Sequence, residues 1–412
     1  MKRIWLVYPY GPVYGDKGKE CRYTQFGREL DRAGYQVIWW TANFSHGSKA
    51  FRCDGWKSIQ VTEHFETRLV PTSTYKKNIS FGRIKFEKNF SENLEKGFND
   101  EETPDAIVVA STGMFNAFEP CITYAINHKI PIIYDIMDIP LIESYMQQHH
   151  KLIAPIAKVV MGIERMREKK FFKNISGICA LGKNQLEYAK LRAFNREIPA
   201  CLVYNGIEVN KLRKTMEGET PNSIKPLVKE DGWVFCVFSG SLGPSYDIEA
   251  ICQCAKLCEK KKSKVKFIIA GNGPQADLVK ETSMSCANLE YVGFVSLDEL
   301  AHIYRVSDIG LCAFSEYSTV DMPDKFYDYC AGGLAVLNTL KGEVKEYIED
   351  NNLGYQYKAG DANDLYEQVM KLSDPTVLAA AKENSYKIGG QFDILEQVKK
   401  LSTMVSQILH NQ

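Results

Sequence analysis

Short apolar runs alternate with longer amphipathic stretches along most of this chain, and the spacing predicts strands separated by helices. Runs at 4–9 (IWLVYP), 36–41 (QVIWWT), 106–111 (AIVVAS), 131–138 (PIIYDIMD), 177–181 (GICAL) and 200–206 (ACLVYNG) read as buried strands. Helical stretches lie between them, one of them ended by Gly34 and another near 116–127. Strands joined by helices imply parallel β-α-β units. The same grammar restarts with strand runs at 234–243, 264–274, 289–296, 309–314 and 334–339 and a helix from about 247 to 261. Between the halves, residues 207–232 are polar, break the pattern and hold Pro221 and Pro226. The expectation is an α/β protein of two facing Rossmann-like domains, 1–206 and 207–385, with a C-terminal helix over 386–412 crossing back to the first. Open α/β sheets bind ligands at the carboxyl ends of their strands, so the cleft between the halves is the expected site.

Composition narrows the function classes. The chain has 412 residues, 51 basic and 51 acidic side chains and no net charge, which argues against coating nucleic acid. Its twelve cysteines form no C-x-x-C pair, and most lie in apolar runs, as Cys179 and Cys312 do. They read as reduced, buried thiols. No run approaches the roughly 20 apolar residues of a membrane span, and the N-terminus reads as a first strand without a cleavage site, so the expectation is a cytoplasmic protein. His149 and His150 are adjacent and point to different sides of a helix, and no third ligand is suitably spaced, so no metal or other cofactor is expected. No G-x-S-x-G elbow or Ser-His-Asp motif supports acyl hydrolysis.

The stretch 321–338 (DMPDKFYDYCAGGLAVLN) carries the sharpest signal. Asp321 is a candidate N-cap, Pro323 suits a first helical turn, and Gly332 and Gly333 suit the end. Phe326, Tyr329 and Cys330 can share a buried face. Lys325 and Asp328 stand three apart near the start, either as a surface ion pair or as a ligand-facing pair. In the second reading Lys325 and backbone N–H groups meet phosphate while Asp328 accepts from ribose hydroxyls.

Pro323, Lys325, Tyr327, Asp328, Ala331 and Gly333 resemble the motif of the retaining glycosyltransferases of family 4, which have the GT-B fold. The nearest likeness is to the branch that builds capsular and O-antigen polysaccharides. Further pieces at 134–144, 203–212, 267–274 and 292–314 extend the resemblance over nearly the whole chain. It implies that Asp328, shortened from the usual Glu, binds the donor ribose. The partner acid would fall at Val320, with Asp321 next door as the substitute. Relatives carry an arginine and a lysine in the loop after the first strand of the second domain, where this chain has Ser241 and Tyr246. Lys325, the backbone at Gly240 and Gly243, and helix dipoles would then hold the diphosphate. Gly293 and Phe294 match the loop that meets the nucleobase.

In the first domain, Gly11 and Gly15 lie in a loop after the first strand where backbone can come close to sugar or phosphate, and Arg22 and Tyr23, expected to face the acceptor or the cleft, resemble the Arg-aromatic pair of the branch. Asp138, with Met137 and Pro140 replacing the family's arginine and tryptophan, would orient the acceptor hydroxyl or take its proton. Two basic, apolar stretches, 75–90 and 151–174, could be solvated helix faces or a surface that meets a membrane. The implied activity is metal-independent transfer of a hexosyl unit from a UDP- or GDP-linked sugar to a growing polyprenyl-linked glycan. The alternatives are a nucleotide-sugar epimerase of the same fold and an inactive nucleotide-sugar-binding subunit.

Overall fold

Runs rich in Val, Ile, Trp and Phe become strands because they pack on both faces of a sheet, where β-branched and aromatic side chains fit best. The computed structural model describes all residues except 17–19, 78–79, 112–117, 140–153, 194–196, 222, 224–226, 319 and 412. Pro140, His149, His150 and the first three residues of the basic stretch 151–174 lie outside the described residues. Two units result, one of Met1–Tyr204 with Leu395–Gln412 and one of Asn205–Ile394.

The N-terminal unit contains β1 (Arg3–Val7), β2 (Gln36–Ala42), the short hairpin β3 (Phe44–Ser45) and β4 (Ala50–Phe51), β5 (Lys57–Gln60), β6 (Phe65–Val70), β7 (Ala106–Ala110), β8 (Ile132–Ile136), β9 (Gly177–Ala180) and β10 (Ala200–Leu202). Eight of these form a sheet in the order β10-β9-β8-β7-β1-β2-β6-β5, parallel except where β5 runs against β6. Trp5, Trp40 and Phe98 pack together beneath it, with the Trp5 and Phe98 rings 4.4 Å apart. The last helix, Ile394–His410, is tied into this unit. Gln397 accepts from the Tyr204 N–H at 3.0 Å, and Ser402 donates to Glu29 at 3.3 Å.

The C-terminal unit contains β11 (Val234–Ser239), β12 (Val265–Ala270), β13 (Leu289–Gly293), β14 (Ile309–Cys312), β15 (Ala335–Asn338) and β16 (Gly354–Gln356). They form a fully parallel sheet in the order β13-β12-β11-β14-β15-β16. Strand order reverses beside β11, and the loops leaving β11 and β14 there carry the residues described next.

The polar segment after 207 contains a helix, Val209–Glu217, in which only Val209 is buried, so its apolar signal is faint. Strand β5 is nearly all exposed, with the sequence KSIQ, and offers no apolar run to read. The helix of the 321–338 stretch runs Asp324–Gly332, with Pro323 as N-cap and Gly333 as a left-handed C-cap at φ 69°. Asp321 is not its N-cap. Its carboxylate instead accepts the Glu343 N–H at 3.0 Å, at the start of the helix Glu343–Asp350. That helix enters through Gly342, which has no side chain to cap it, so a neighbouring loop supplies the acceptor.

Candidate functional site

Lys325 sits on the first turn of the helix Asp324–Gly332 and is 7% exposed. Its ammonium lies over three rings, 3.8 Å from the centre of Phe238, 4.2 Å from Tyr246 and 5.1 Å from Phe314. Aromatic faces carry negative charge density and attract a cation, yet they accept no strong hydrogen bond. The Lys325 Nζ makes no hydrogen bond. Burial brings its titration down to about 7, while Cys312 and Asp328 act to raise it. A buried ammonium with three unused donors is a costly arrangement that an anion would relieve.

The space in front of Lys325 is an open cavity of about 440 Å³ walled by Ser239, Gly240, Tyr246, Phe314 and Asp328 among others. Asp328 stands one turn on from Lys325, half-buried at the wall. Burial, followed by the nearby Asp328 carboxylate, pushes the Tyr304 hydroxyl well above its usual range. That hydroxyl pairs with Ser239 Oγ at 2.8 Å. A cation and a carboxylate on one helix turn, opening on one cavity, can hold a phosphate and a ribose hydroxyl.

Glycines let the floor approach closely. Gly240 has φ 140°, and a side chain there would begin 3.4 Å from Lys325 Nζ. Gly271, at φ 147°, packs so tightly that a Cβ would lie 1.8 Å from the Gly240 carbonyl oxygen. Leu242 N–H donates to Asn272 O at 2.9 Å, and Gln275 Nε2 donates to Gly243 O at 2.7 Å. Gly243 thus helps to lock two strand-end loops together and is not part of the cavity wall. Gly293 has φ 73° and its carbonyl accepts from Gly271 N–H at 2.7 Å, while the Phe294 side chain is largely in solvent. The structure therefore brings Gly240, Lys325 and Asp328 together and sets Asp321, Gly293 and Phe294 outside the cavity wall.

Tyr246 and Phe314 were not legible as site residues. Tyr246 serves as a ring beneath Lys325, and an isolated bridge pairs it with Phe314. Only the aromatic character of both positions hinted at this.

In the N-terminal unit, Asp138 follows β8, and its N–H, like that of Met137, donates to Ser111 Oγ, at 3.1 and 2.9 Å. Its side chain is exposed, yet the protein packed around it raises its carboxyl above the ordinary range, and Arg83 opposes that rise. A carboxylate fixed through its backbone and inclined to hold a proton suits general base work. Ser111 was not foreseen, since a serine after a strand is unremarkable.

Arg22 and Tyr23 are both buried within the N-terminal unit. Arg22 donates to both oxygens of Asp135, at 3.1 and 2.9 Å, and also to Val203 O, with both charged side chains buried. Tyr23 is fully buried and stacked on Tyr8 at 4.9 Å. The helix that they open presses its first turn into the sheet, so the Arg-aromatic pair becomes internal. Gly11 has φ 99° and its carbonyl accepts from Arg52 at 2.9 Å, and Gly15 has φ 93° with open space around it.

Among the described residues, no group of three or more His, Cys, Asp or Glu side chains could hold a metal ion. Among the same residues, no helix is long and apolar enough to cross a membrane.

Residues 235–374 match the family model described as Glycosyl transferases group 1. A curated relative, the UDP-glycosyltransferase TURAN of Arabidopsis thaliana, is 27% identical over 110 residues. That match spans 26% of this chain and 23% of the relative's length. Among solved structures, HepE of Anabaena in complex with UDP is similar at a TM-score of 0.64 and 14% identity, covering 99% of this chain and all of that one. WaaG, a glycosyltransferase involved in lipopolysaccharide biosynthesis, is similar at 0.62 and 14% identity, covering 98% of this chain and 99% of that one. The chain therefore has the GT-B fold with two Rossmann-like units, and within its C-terminal unit residues 235–374 are similar to the Glycosyl transferases group 1 family.

Proposed function

We propose that this protein is a glycosyltransferase that moves a hexosyl unit from a nucleoside-diphosphate sugar to a glycan acceptor. The observation that carries the reading is Lys325, a buried ammonium without a hydrogen-bond acceptor, held over three rings at a cavity that Asp328 also lines. Lys325 and the Gly240 backbone receive the diphosphate, and Asp328 receives the ribose hydroxyls. As the bond from sugar to phosphate breaks, negative charge grows on the leaving diphosphate. A preformed ammonium beside it lowers that barrier.

UDP is the favoured nucleotide over GDP, supported by the name of the curated relative and by the UDP bound to HepE. Asp138 orients the acceptor hydroxyl and accepts its proton. Retention of configuration, independence of metal ions, and a lipid-linked acceptor at the inner face of a bacterial membrane complete the proposal. Involvement of WaaG in lipopolysaccharide biosynthesis supports a role in surface polysaccharide synthesis.

The test is turnover of UDP-glucose with a panel of glycan acceptors, in wild type and Asp138→Asn. Release of UDP that depends on acceptor, is cut at least about tenfold in kcat by Asp138→Asn, and leaves UDP affinity unchanged is the expected result. Conversion of the sugar without an acceptor would identify an epimerase. UDP binding without turnover on any acceptor would identify a binding subunit.

A further inference from the structure

A row of three side chains crosses the edge of the N-terminal sheet beside Arg22. Asp135 on β8, Cys179 on β9 and Cys201 on β10 are register partners on successive parallel strands. Side chains in register on neighbouring strands share one face of a sheet. Arg22 donates to both oxygens of Asp135 and, from Nη2, to the Cys179 sulfur at 3.3 Å. Strand β10 is the edge of the sheet, where Cys201 is partly exposed, whereas Cys179 is fully buried. Among the described residues, no other strand register sets one cysteine against another.

Neighbouring strands lie about 4.8 Å apart, inside the roughly 4.4–6.8 Å between Cα atoms that a disulfide spans. The two thiols are therefore placed to bond to one another without a change of backbone. A hydrogen bond from the Cys179 thiol brings Cys201 below its ordinary range against the effect of burial, with Arg22 and Lys400 adding to it and Asp135 opposing. Burial, followed by the bond with Cys201, pushes Cys179 well above its own. The thiolate is the reactive form of a cysteine, and cations beside it favour that form. Cys201 is thus the nucleophile of the pair and Cys179 the thiol that follows.

Packing alone accounts for Cys179, because a buried cysteine behaves as a small apolar side chain. It does not account for a second cysteine in register with it at a solvent-facing edge, nor for a guanidinium that donates to the sulfur between them.

We propose that Cys201 and Cys179 form an oxidation site at which a small hydroperoxide converts the two thiols to a disulfide between β10 and β9. This goes beyond the glycosyltransferase reading and does not depend on it. The Cys201 thiolate attacks one oxygen of hydrogen peroxide, the O–O bond breaks, and hydroxide leaves to take up the proton that Cys201 had released. Cys201 is then a sulfenic acid. The Cys179 sulfur attacks the Cys201 sulfur, the S–O bond breaks as the S–S bond forms, and the departing hydroxide leaves as water with the Cys179 proton. In all, two thiols lose two electrons and one peroxide is reduced to two waters.

The experiment treats the folded full chain with hydrogen peroxide, blocks the remaining thiols after unfolding, and follows each cysteine peptide by mass spectrometry. Cys53, also partly exposed but with no cysteine in register, is the internal comparison. Cys179 and Cys201 should disappear together into one cross-linked peptide, at least about tenfold faster than Cys53 is oxidised, and dithiothreitol should restore both. Cys179→Ser should stop at a sulfenic acid on Cys201 that dimedone traps, and Cys201→Ser should leave Cys179 reduced. Absence of the cross-linked peptide from wild type, or oxidation of Cys201 no faster than that of Cys53, overturns the site whether or not either variant folds. Loss of Cys179 in a folded Cys201→Ser protein at the wild-type rate overturns the assigned order of attack. UDP affinity measured before oxidation reports on the donor reading separately.

Discussion

The ammonium of Lys325 lies 4.2 Å from the centre of the Tyr246 ring. One positive charge thus rests on an aromatic floor that also includes Phe238 and Phe314. The arrangement makes the charge state of Lys325 depend on what enters the cavity.

The first prediction concerns proton uptake. Burial brings Lys325 to about 7 in the free protein, against an ordinary 10.5. Between those values the unfolded chain binds the proton and the folded chain does not. This residue therefore makes the free protein more stable as pH rises from about 7 to 10.5. A bound diphosphate reverses the preference, because it favours the ammonium. The groups around Lys325 that contribute are the Asp328 carboxylate, the Cys312 thiol and the three rings. UDP binding should take up nearly one proton at about pH 8.5 and almost none at about pH 5.5, and affinity should fall up to about tenfold per unit above pH 7. Calorimetry in buffers of different ionisation enthalpy measures the uptake directly.

A second prediction separates structure from ligand contact in the N-terminal unit. Arg22 and Asp135 are a buried pair with two hydrogen bonds. Removing one partner strands the other charge, so Arg22→Met should cost about 3–5 kcal/mol in chemical denaturation. UDP affinity of the folded fraction should be unchanged. A large loss of affinity without loss of stability would restore Arg22 as a ligand residue.

The third prediction contrasts two glycines. In Gly271→Ala the new Cβ would meet the Gly240 oxygen at 1.8 Å on a backbone at φ 147°. The loops must part, so both stability and UDP affinity should fall, the former by at least about 1–3 kcal/mol. Gly293→Ala meets nothing within 4 Å and bears only the strain of φ 73°. Its cost should be about 1–2 kcal/mol, with little change in affinity. Equal effects of the two substitutions on UDP binding would show that the packing of Gly271 on Gly240 does not shape the cavity.

Much of this architecture was legible because buried parallel strands announce themselves as apolar runs. Strands β1, β2, β7, β8 and β11 lie within a few residues of their expected places. Strand β5 was invisible because an exposed antiparallel edge needs no apolar run. At the site, the helix stop at Gly332–Gly333 and the buried face of Phe326, Tyr329 and Cys330 could be read from spacing. The rings of Tyr246 and Phe314 could not, since they reach Lys325 through contacts across the sheet that no local pattern encodes. The pairing of Arg22 was hidden for a related reason. A polar residue at a helix start looks available to a ligand, and only the fold reveals the Asp135 carboxylate buried 113 positions away in sequence.

The most direct test of the donor site is UDP and GDP affinity of wild type and Asp328→Ala by calorimetry. One nucleotide, expected to be UDP, should bind wild type, and the substitution should weaken it by about 1.5–3 kcal/mol, or roughly 10- to 150-fold. Undiminished affinity in a folded Asp328→Ala protein, or no binding of either nucleotide to wild type, would contradict the assignment of this cavity to a nucleoside-diphosphate sugar.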